Sequence, residues 1–389
     1  LKQAQRNYMD FNATSPLRPE AREACIAAFD CLGNPSSIHA DGRKARAIVE
    51  EARAAVARLV GVAPRGVIFT ASGTEAANLA LTPEIARRTG SPPLTRLILS
   101  SGEHACVLKG RRFPSSAIEI APLKPDGRID LDALFAILKR HEGAAMLALQ
   151  SANNETGIIQ PVAEAAALVH AAGGCVVSDA VQSAGRVACD ANALGADFLI
   201  LSSHKLGGPK GVGALVAASP DVAVSQPLLR GGGQERGLRA GTENVAGIAG
   251  FGAAARAAVT ELAGEARRLA KLRDELGAHV RRIAPDAVIF GADVDRLPNT
   301  LCFAVPGVAA ETLIIALDLT GIAVSSGAAC SSGKVARSHV LAAMQVAPEI
   351  AMGAIRLSLG WSSNDEDVAR FGEAFERILS RMSRGRRAA

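Results

Sequence analysis

Aromatic residues make up only 3% of this 389-residue chain, with one tryptophan and one tyrosine. Modules that bind single-stranded nucleic acid stack bases on exposed rings, so this scarcity argues against a nucleic-acid partner. Cysteine occurs seven times, at positions 25, 31, 106, 175, 189, 302 and 330, yet no Cys-x-x-Cys pair is formed. Neither a zinc knuckle nor a thioredoxin motif is therefore expected, and no metal site is anticipated. No uninterrupted apolar run reaches the ~18 residues of a membrane span, and no signal-peptide pattern is seen after Leu1. A reducing, cytoplasmic setting without a membrane partner is expected from these absences. The formal charge of +5 is small, and much of it sits in Arg381, Arg384, Arg386 and Arg387, which read as a solvated C-terminus.

What is present is an ordinary soluble composition, 49% apolar and 21% charged, long enough for about two domains. Strand-like runs recur through the first two-thirds: Val67-Ile68-Phe69-Thr70, Arg96-Leu97-Ile98-Leu99, Met146-Leu147-Ala148-Leu149, Cys175-Val176-Val177-Ser178, Phe198-Leu199-Ile200-Leu201 and Val212-Gly213-Ala214-Leu215-Val216. Helical patterns at 43–60, 130–140 and 162–172 lie between them. Continuous apolar strands alternating with helices predict an α/β fold with a mostly parallel sheet covered on both faces. A long helical region over 243–283 follows, with Gly264 and Gly277 as possible breaks. Shorter units after Pro285 predict a small α+β domain, with strands near 288–290, 300–303 and 355–358 and helices near 309–319 and 365–382. Cys175 and Cys302, among β-branched or aromatic neighbours, read as core residues.

Lys205 ends the segment Ser202-Ser203-His204-Lys205, just after one predicted strand and before the turn Gly207-Gly208-Pro209-Lys210-Gly211. Asp179 ends another predicted strand, 26 residues earlier. An acid and a lysine at neighbouring strand ends suit pyridoxal phosphate: the amine forms the Schiff base and the carboxylate pairs with the ring nitrogen. Taken alone, the two residues read equally as a surface lysine and a helix cap.

Four other segments fall at carboxyl ends of predicted strands. Ser72-Gly73-Thr74-Glu75 precedes a helical pattern and offers backbone N–H groups to a phosphate, although the same residues cap ordinary helices. His104 lies just past a strand end, where an imidazole can stack on a ring and move protons or serve only structure. Asn154, in Asn153-Asn154-Glu155-Thr156-Gly157, sits in a loop where its amide can hold cofactor or substrate. Gln182, three residues after Asp179, is within reach of a ring hydroxyl. Their joint placement carries more than any one of them.

With these motifs the chain resembles the NifS/IscS-type cysteine desulfurases of the class V aminotransferase superfamily. The resemblance runs from Asp10-Phe11-Asn12-Ala13-Thr14-Ser15-Pro16 to Ile355-Arg356-Leu357-Ser358-Leu359-Gly360. Its most specific pieces are Ser202-Ser203-His204-Lys205, Gly231-Gly232-Gly233-Gln234-Glu235-Arg236-Gly237 leading into Arg239-Ala240-Gly241-Thr242-Glu243-Asn244, and Ser325-Ser326-Gly327-Ala328-Ala329-Cys330-Ser331-Ser332-Gly333.

The resemblance implies a fold type I pyridoxal phosphate transferase, with a large cofactor-binding domain over 15–260 and a small domain of 1–14 and 261–389 carrying the Cys330 loop. It implies that Lys205 holds the cofactor, Asp179 pairs with the ring nitrogen, Gln182 with the phenolic oxygen, and His104 stacks and acts as acid and base. Gly73, Thr74, Ser202 and His204 are implied for the phosphate, with Thr242 reaching the phosphate of a second subunit in a homodimer. Asn154 and Arg356 fit the substrate carboxylate, a planar fork suited to arginine.

Cys330, in a small-residue segment without apolar periodicity, reads as an exposed loop thiol. In the family it would take sulfur from L-cysteine as a persulfide, release L-alanine, and pass the sulfur to an iron–sulfur scaffold or another acceptor protein. A selenocysteine lyase or another class V aminotransferase-like enzyme is the nearest alternative. A non-catalytic sulfur carrier is disfavoured by the lysine, aspartate and histidine together. Gly207, where a bulkier residue is usual, is expected to alter packing beside the cofactor, while Gln345 and Trp361 depart from the family pattern where partners are recognised.

Overall fold

The computed structural model describes residues 6–141, 143–326 and 337–388, with side chains to Met382. Among these, seven strands form the central sheet: β1 (Val67–Thr70), β2 (Leu94–Ser100), β3 (Ile118–Ala121), β4 (Ala144–Ala148), β5 (Cys175–Asp179), β6 (Phe198–Ser202) and β7 (Gly213–Ala217). Their spatial order is β1-β7-β6-β5-β4-β2-β3. Strand β7 runs antiparallel to both β1 and β6, and every other pairing is parallel. Strands β4 to β7 are buried along their whole length, and their side chains alternate between two apolar layers. Phe69, Leu199, Leu201 and Val216 pack in one, while Ile68, Phe198, Ile200 and Leu215 pack in the other. This two-sided burial makes the strands read as continuous apolar runs.

The helices start where local chemistry dictates. Pro19 opens α1 (Pro19–Phe29) at a position whose N–H has no intrahelical partner. The Asp130 carboxylate accepts from the N–H groups of Asp132 and Ala133 at the head of the helix Leu131–Arg140. The long region after Thr242 is a single helix, Val245–Ile283, unbroken at Gly264 and Gly277. Each glycine costs roughly 1 kcal/mol against alanine. Tertiary packing outweighs that, because Ile248, Phe251 and Ala254 are buried in the large-sheet core and Leu269, Leu272, Leu276 and Val280 in a second core. The helix is long and apolar enough to cross a bilayer by composition, but more than half of its most apolar window is buried inside the fold.

The second core gathers Met9 with Leu301, Phe303, Ile355, Leu357, Phe371 and Phe375. Its sheet is antiparallel, in the order β8 (Val288–Ile289), β9 (Thr300–Ala304), β11 (Ala354–Ser358), β10 (Ser325–Ser326). Cys175 and Cys302 are both fully buried, as expected for core thiols. Cys330 lies outside the described residues.

Candidate active site

Parallel pairing of β5 with β6 sets Asp179 beside Ile200 and brings both strands to their carboxyl ends at the same edge of the sheet. Lys205 follows in a one-turn 3-10 helix, Ser203–Lys205. Both residues line a cavity of about 300 Å³, together with Ser72, Gly73, Thr74, His104, Asn154, Gln182, Ser202, His204 and Arg356. That volume lies within the range of small-molecule sites. Of the residues singled out in the sequence, Thr242 stands apart: it is exposed and borders a separate cleft with Arg239 and Asn244.

The Lys205 amine donates to two neutral acceptors, the carbonyls of Asn12 and Ala13. Burial pushes the amine down to about 8, aided by the charges of Arg186 and Arg356 and opposed by Asp179 and Asp10. Only a neutral amine attacks an aldehyde. Capture of pyridoxal phosphate by the apoprotein should therefore accelerate as pH rises, with a midpoint near 8. Stopped-flow absorbance checks this, and a midpoint near the ordinary lysine value would show an amine open to water.

Asp179 is buried, and burial raises its pKa, countered by the Val181 N–H and by the charges of His104 and Lys205. A carboxylate this poorly solvated gains from a nearby cation, which is what a protonated ring nitrogen offers. His104 caps the helix Ala105–Lys109 and accepts the Cys106 N–H at Nδ1 (3.2 Å), so its proton is assigned to Nε2. Burial lowers its pKa, with Lys205 and His339 in support and Asp179 opposed, which favours the neutral imidazole. Burial and the charges of Lys205, Lys210 and Arg186 push His204 down to about 4. Its Nδ1 lies 3.1 Å from the Thr14 hydroxyl.

Ser72 caps the helix Gly73–Ala80, its hydroxyl accepting the Glu75 N–H at 3.1 Å, while the Glu75 carboxylate accepts the Ala71 N–H. Free N–H groups at this turn suit a phosphate. Gly213 on β7 makes the turn possible: a Cβ there would lie 2.4 Å from the Ser72 carbonyl carbon, 2.7 Å from the Gly73 nitrogen and 2.8 Å from the Leu201 oxygen. Those are backbone atoms and do not yield readily. Gly213→Ala should displace the turn at a strain of about 1–3 kcal/mol and weaken pyridoxal phosphate binding roughly tenfold or more. An absorbance titration of the apoprotein reads this directly, and an unchanged Kd would remove the turn from the site.

Arg356 is buried; its guanidinium donates to Asp10 (2.6 Å) and to the Asn154 carbonyl (2.9 Å), while Nε has no partner among the described residues. An unsatisfied buried donor at a cavity wall fits an anionic ligand group. Together, the lysine, the acid, the phosphate turn and the arginine match the donor set that pyridoxal phosphate and an amino acid require.

Several residues here were not singled out in the sequence. Asn12 donates to Thr300 Oγ1 (2.9 Å) and the Asn154 carbonyl (3.2 Å), and its own carbonyl accepts from Lys205 and Gln182. Cys106 Sγ lies 3.0 Å from His104 Nδ1. The Asp10–Arg356 pair and Arg186 were equally silent. Gly207 is not among the residues lining the cavity. It has φ +86°, and a Cβ there would meet the Arg18 side chain at 2.7 Å, so its absent side chain spares that contact instead. Trp361 packs inward, donating to the Pro16 carbonyl at 3.1 Å.

The model of the class V aminotransferase family matches residues 7–371, and the chain belongs to that family of pyridoxal phosphate-dependent enzymes. A cysteine desulfurase of Cereibacter sphaeroides is 40% identical over 97% of both chains. An IscS-like cysteine desulfurase of Mycobacterium tuberculosis is 39% identical over 98% of both. The solved structure of a NifS-like protein from Rickettsia africae superposes with a TM-score of 0.86 at 33% identity, covering 97% of this chain and 100% of its own. Within the family, the chain falls among the cysteine desulfurases.

Proposed function

We propose that the cavity around Lys205 binds pyridoxal phosphate and L-cysteine, and that sulfur leaves L-cysteine as a persulfide on Cys330 while L-alanine is released. The observation that carries this reading is the convergence of a half-buried amine, a buried carboxylate and a phosphate-type helix N-terminus on one cavity. Bound pyridoxal phosphate supplies an electron sink at the substrate α-carbon.

The chain's own residues do the rest. Gly73, Thr74, Ser202 and His204 hold the phosphate, with the Thr242 hydroxyl coming from the second subunit of a homodimer. Asp179 holds a proton on the ring nitrogen, and Gln182 donates to the phenolic oxygen. Arg356 and Asn154 orient the substrate carboxylate. The Lys205 amine takes the α-proton, and the neutral His104 serves as acid and base. The Cys330 thiolate attacks the substrate sulfur. The bond from the β-carbon to sulfur breaks, a sulfur–sulfur bond forms, the β-carbon keeps the electron pair and is protonated, and Lys205 returns a proton to the α-carbon to give L-alanine.

The persulfide then passes to an acceptor protein such as an iron–sulfur scaffold. A cytoplasmic site of action belongs to the same proposal, on the cysteine spacing. Anaerobic incubation with L-cysteine, with and without reductant, tests it. Alanine should form in proportion to sulfide when reductant is present, and no alanine in either condition ends the proposal.

A further inference from the structure

We propose that Arg186 is a positioning residue for this reaction, fixing the Gln182 amide with one N–H left for the cavity and bracing the turn that carries Lys205. The inference rests on the reading that Gln182 faces the ring's phenolic oxygen. Arg186 is 9% exposed. It donates through Nη1 to the Gln182 carbonyl (2.8 Å) and to Gln182 Oε1, and through Nη2 to the carbonyls of Lys205 (3.4 Å) and Phe11 (3.5 Å). All four acceptors are neutral, and no carboxylate pairs with the guanidinium among the described residues. A buried cation without a counter-charge is strongly disfavoured. Here burial and the charge of Arg356 push it down to about 9.

The chemistry of the amide makes the contact decisive. A guanidinium only donates, so the amide side facing it must be the oxygen. A flipped amide would set N–H against N–H. With Oε1 held by Arg186, Gln182 Nε2 points the other way, one N–H reaching the Asn12 carbonyl at 3.1 Å. The second N–H is left for an acceptor in the cavity, and a phenolate oxygen is such an acceptor. Gln182 and Arg186 lie four residues apart in the turn after β5, a spacing that brings the two side chains together.

The charged and titratable groups facing Lys205 are Arg186, Arg356, Asp179 and Asp10, with the histidines 104 and 204 feeling its charge. None of the others touches the Gln182 oxygen.

The test is a double-mutant cycle read by absorbance of the holoenzyme, using wild type, Gln182→Ala, Arg186→Met, Arg186→Lys and the Q182A/R186M pair. Each of the first two variants should move the visible maximum, and the pH midpoint of the bound chromophore by about half to one unit, in the same direction. The pair should move no further than Arg186→Met alone, which also removes a charge facing Lys205. Arg186→Lys, still a pure donor, should stay near wild type. Should Arg186→Met fail to fold, Arg186→Gln takes its place, since its amide tolerates either orientation of Gln182. Additive effects, or a silent Arg186 variant beside a shifted Gln182→Ala, overturn the proposal alone. A silent Gln182→Ala overturns the phenolic-oxygen assignment and this inference with it, while alanine formation still tests the activity separately.

Discussion

Cys330→Ala is expected to abolish sulfide release from L-cysteine, a loss on the order of 10³-fold or more, the scale at which removal of a covalent nucleophile acts. The visible absorbance of bound pyridoxal phosphate should persist, because Lys205, Asp179 and the Ser72 turn are untouched. The segment's flanks are tied to the site: Ser325 donates to Asp10 (3.1 Å), and Ser338 donates to the buried carboxylate of Glu155. The variant is expected to melt like wild type. Sulfide assays alongside spectra and thermal melts separate loss of chemistry from loss of fold. Retained cysteine-dependent sulfide would instead favour an aminotransferase-like or lyase chemistry that needs no thiol.

Lys205→Ala should be more damaging. Alanine formation should fall by about 10³-fold or more, because the residue both holds the cofactor and moves the α-proton; proton transfer alone contributes typically 10²–10⁴. Cofactor retained by wild type through dialysis should be lost. In the apoprotein, the Asn12 carbonyl keeps the Gln182 amide as a donor when the Lys205 amine is removed, and Ala13 is only partly buried. The apo variant should therefore melt close to the apo wild type, so the loss of turnover reads as lost chemistry and not as lost fold. Turnover within tenfold of wild type would displace Lys205 from its assigned role.

The sequence made the sheet legible because parallel strands buried on both faces leave continuous apolar runs, and the end of each run marks where function gathers. Lys205, Asp179, His104 and the Ser72 turn fall on one edge of the sheet by their positions in the sequence alone. What stayed hidden were contacts between distant parts of the chain. Asn12 meets Thr300, and Asp10 meets Arg356, across nearly the whole sequence. No local period encodes such a meeting. Arg186 escaped for a different reason: an arginine four residues past a glutamine reads as a surface residue until its burial is known. Gly264 and Gly277 misled because intrinsic propensity, worth about 1 kcal/mol each, is smaller than the burial on either side of them.

The 39-residue helix Val245–Ile283 spans about 58 Å at 1.5 Å per residue and is rooted in both hydrophobic cores. A continuous spine of that length ties the two cores mechanically to one another, and amide exchange through its middle should stay slow whether or not substrate is present.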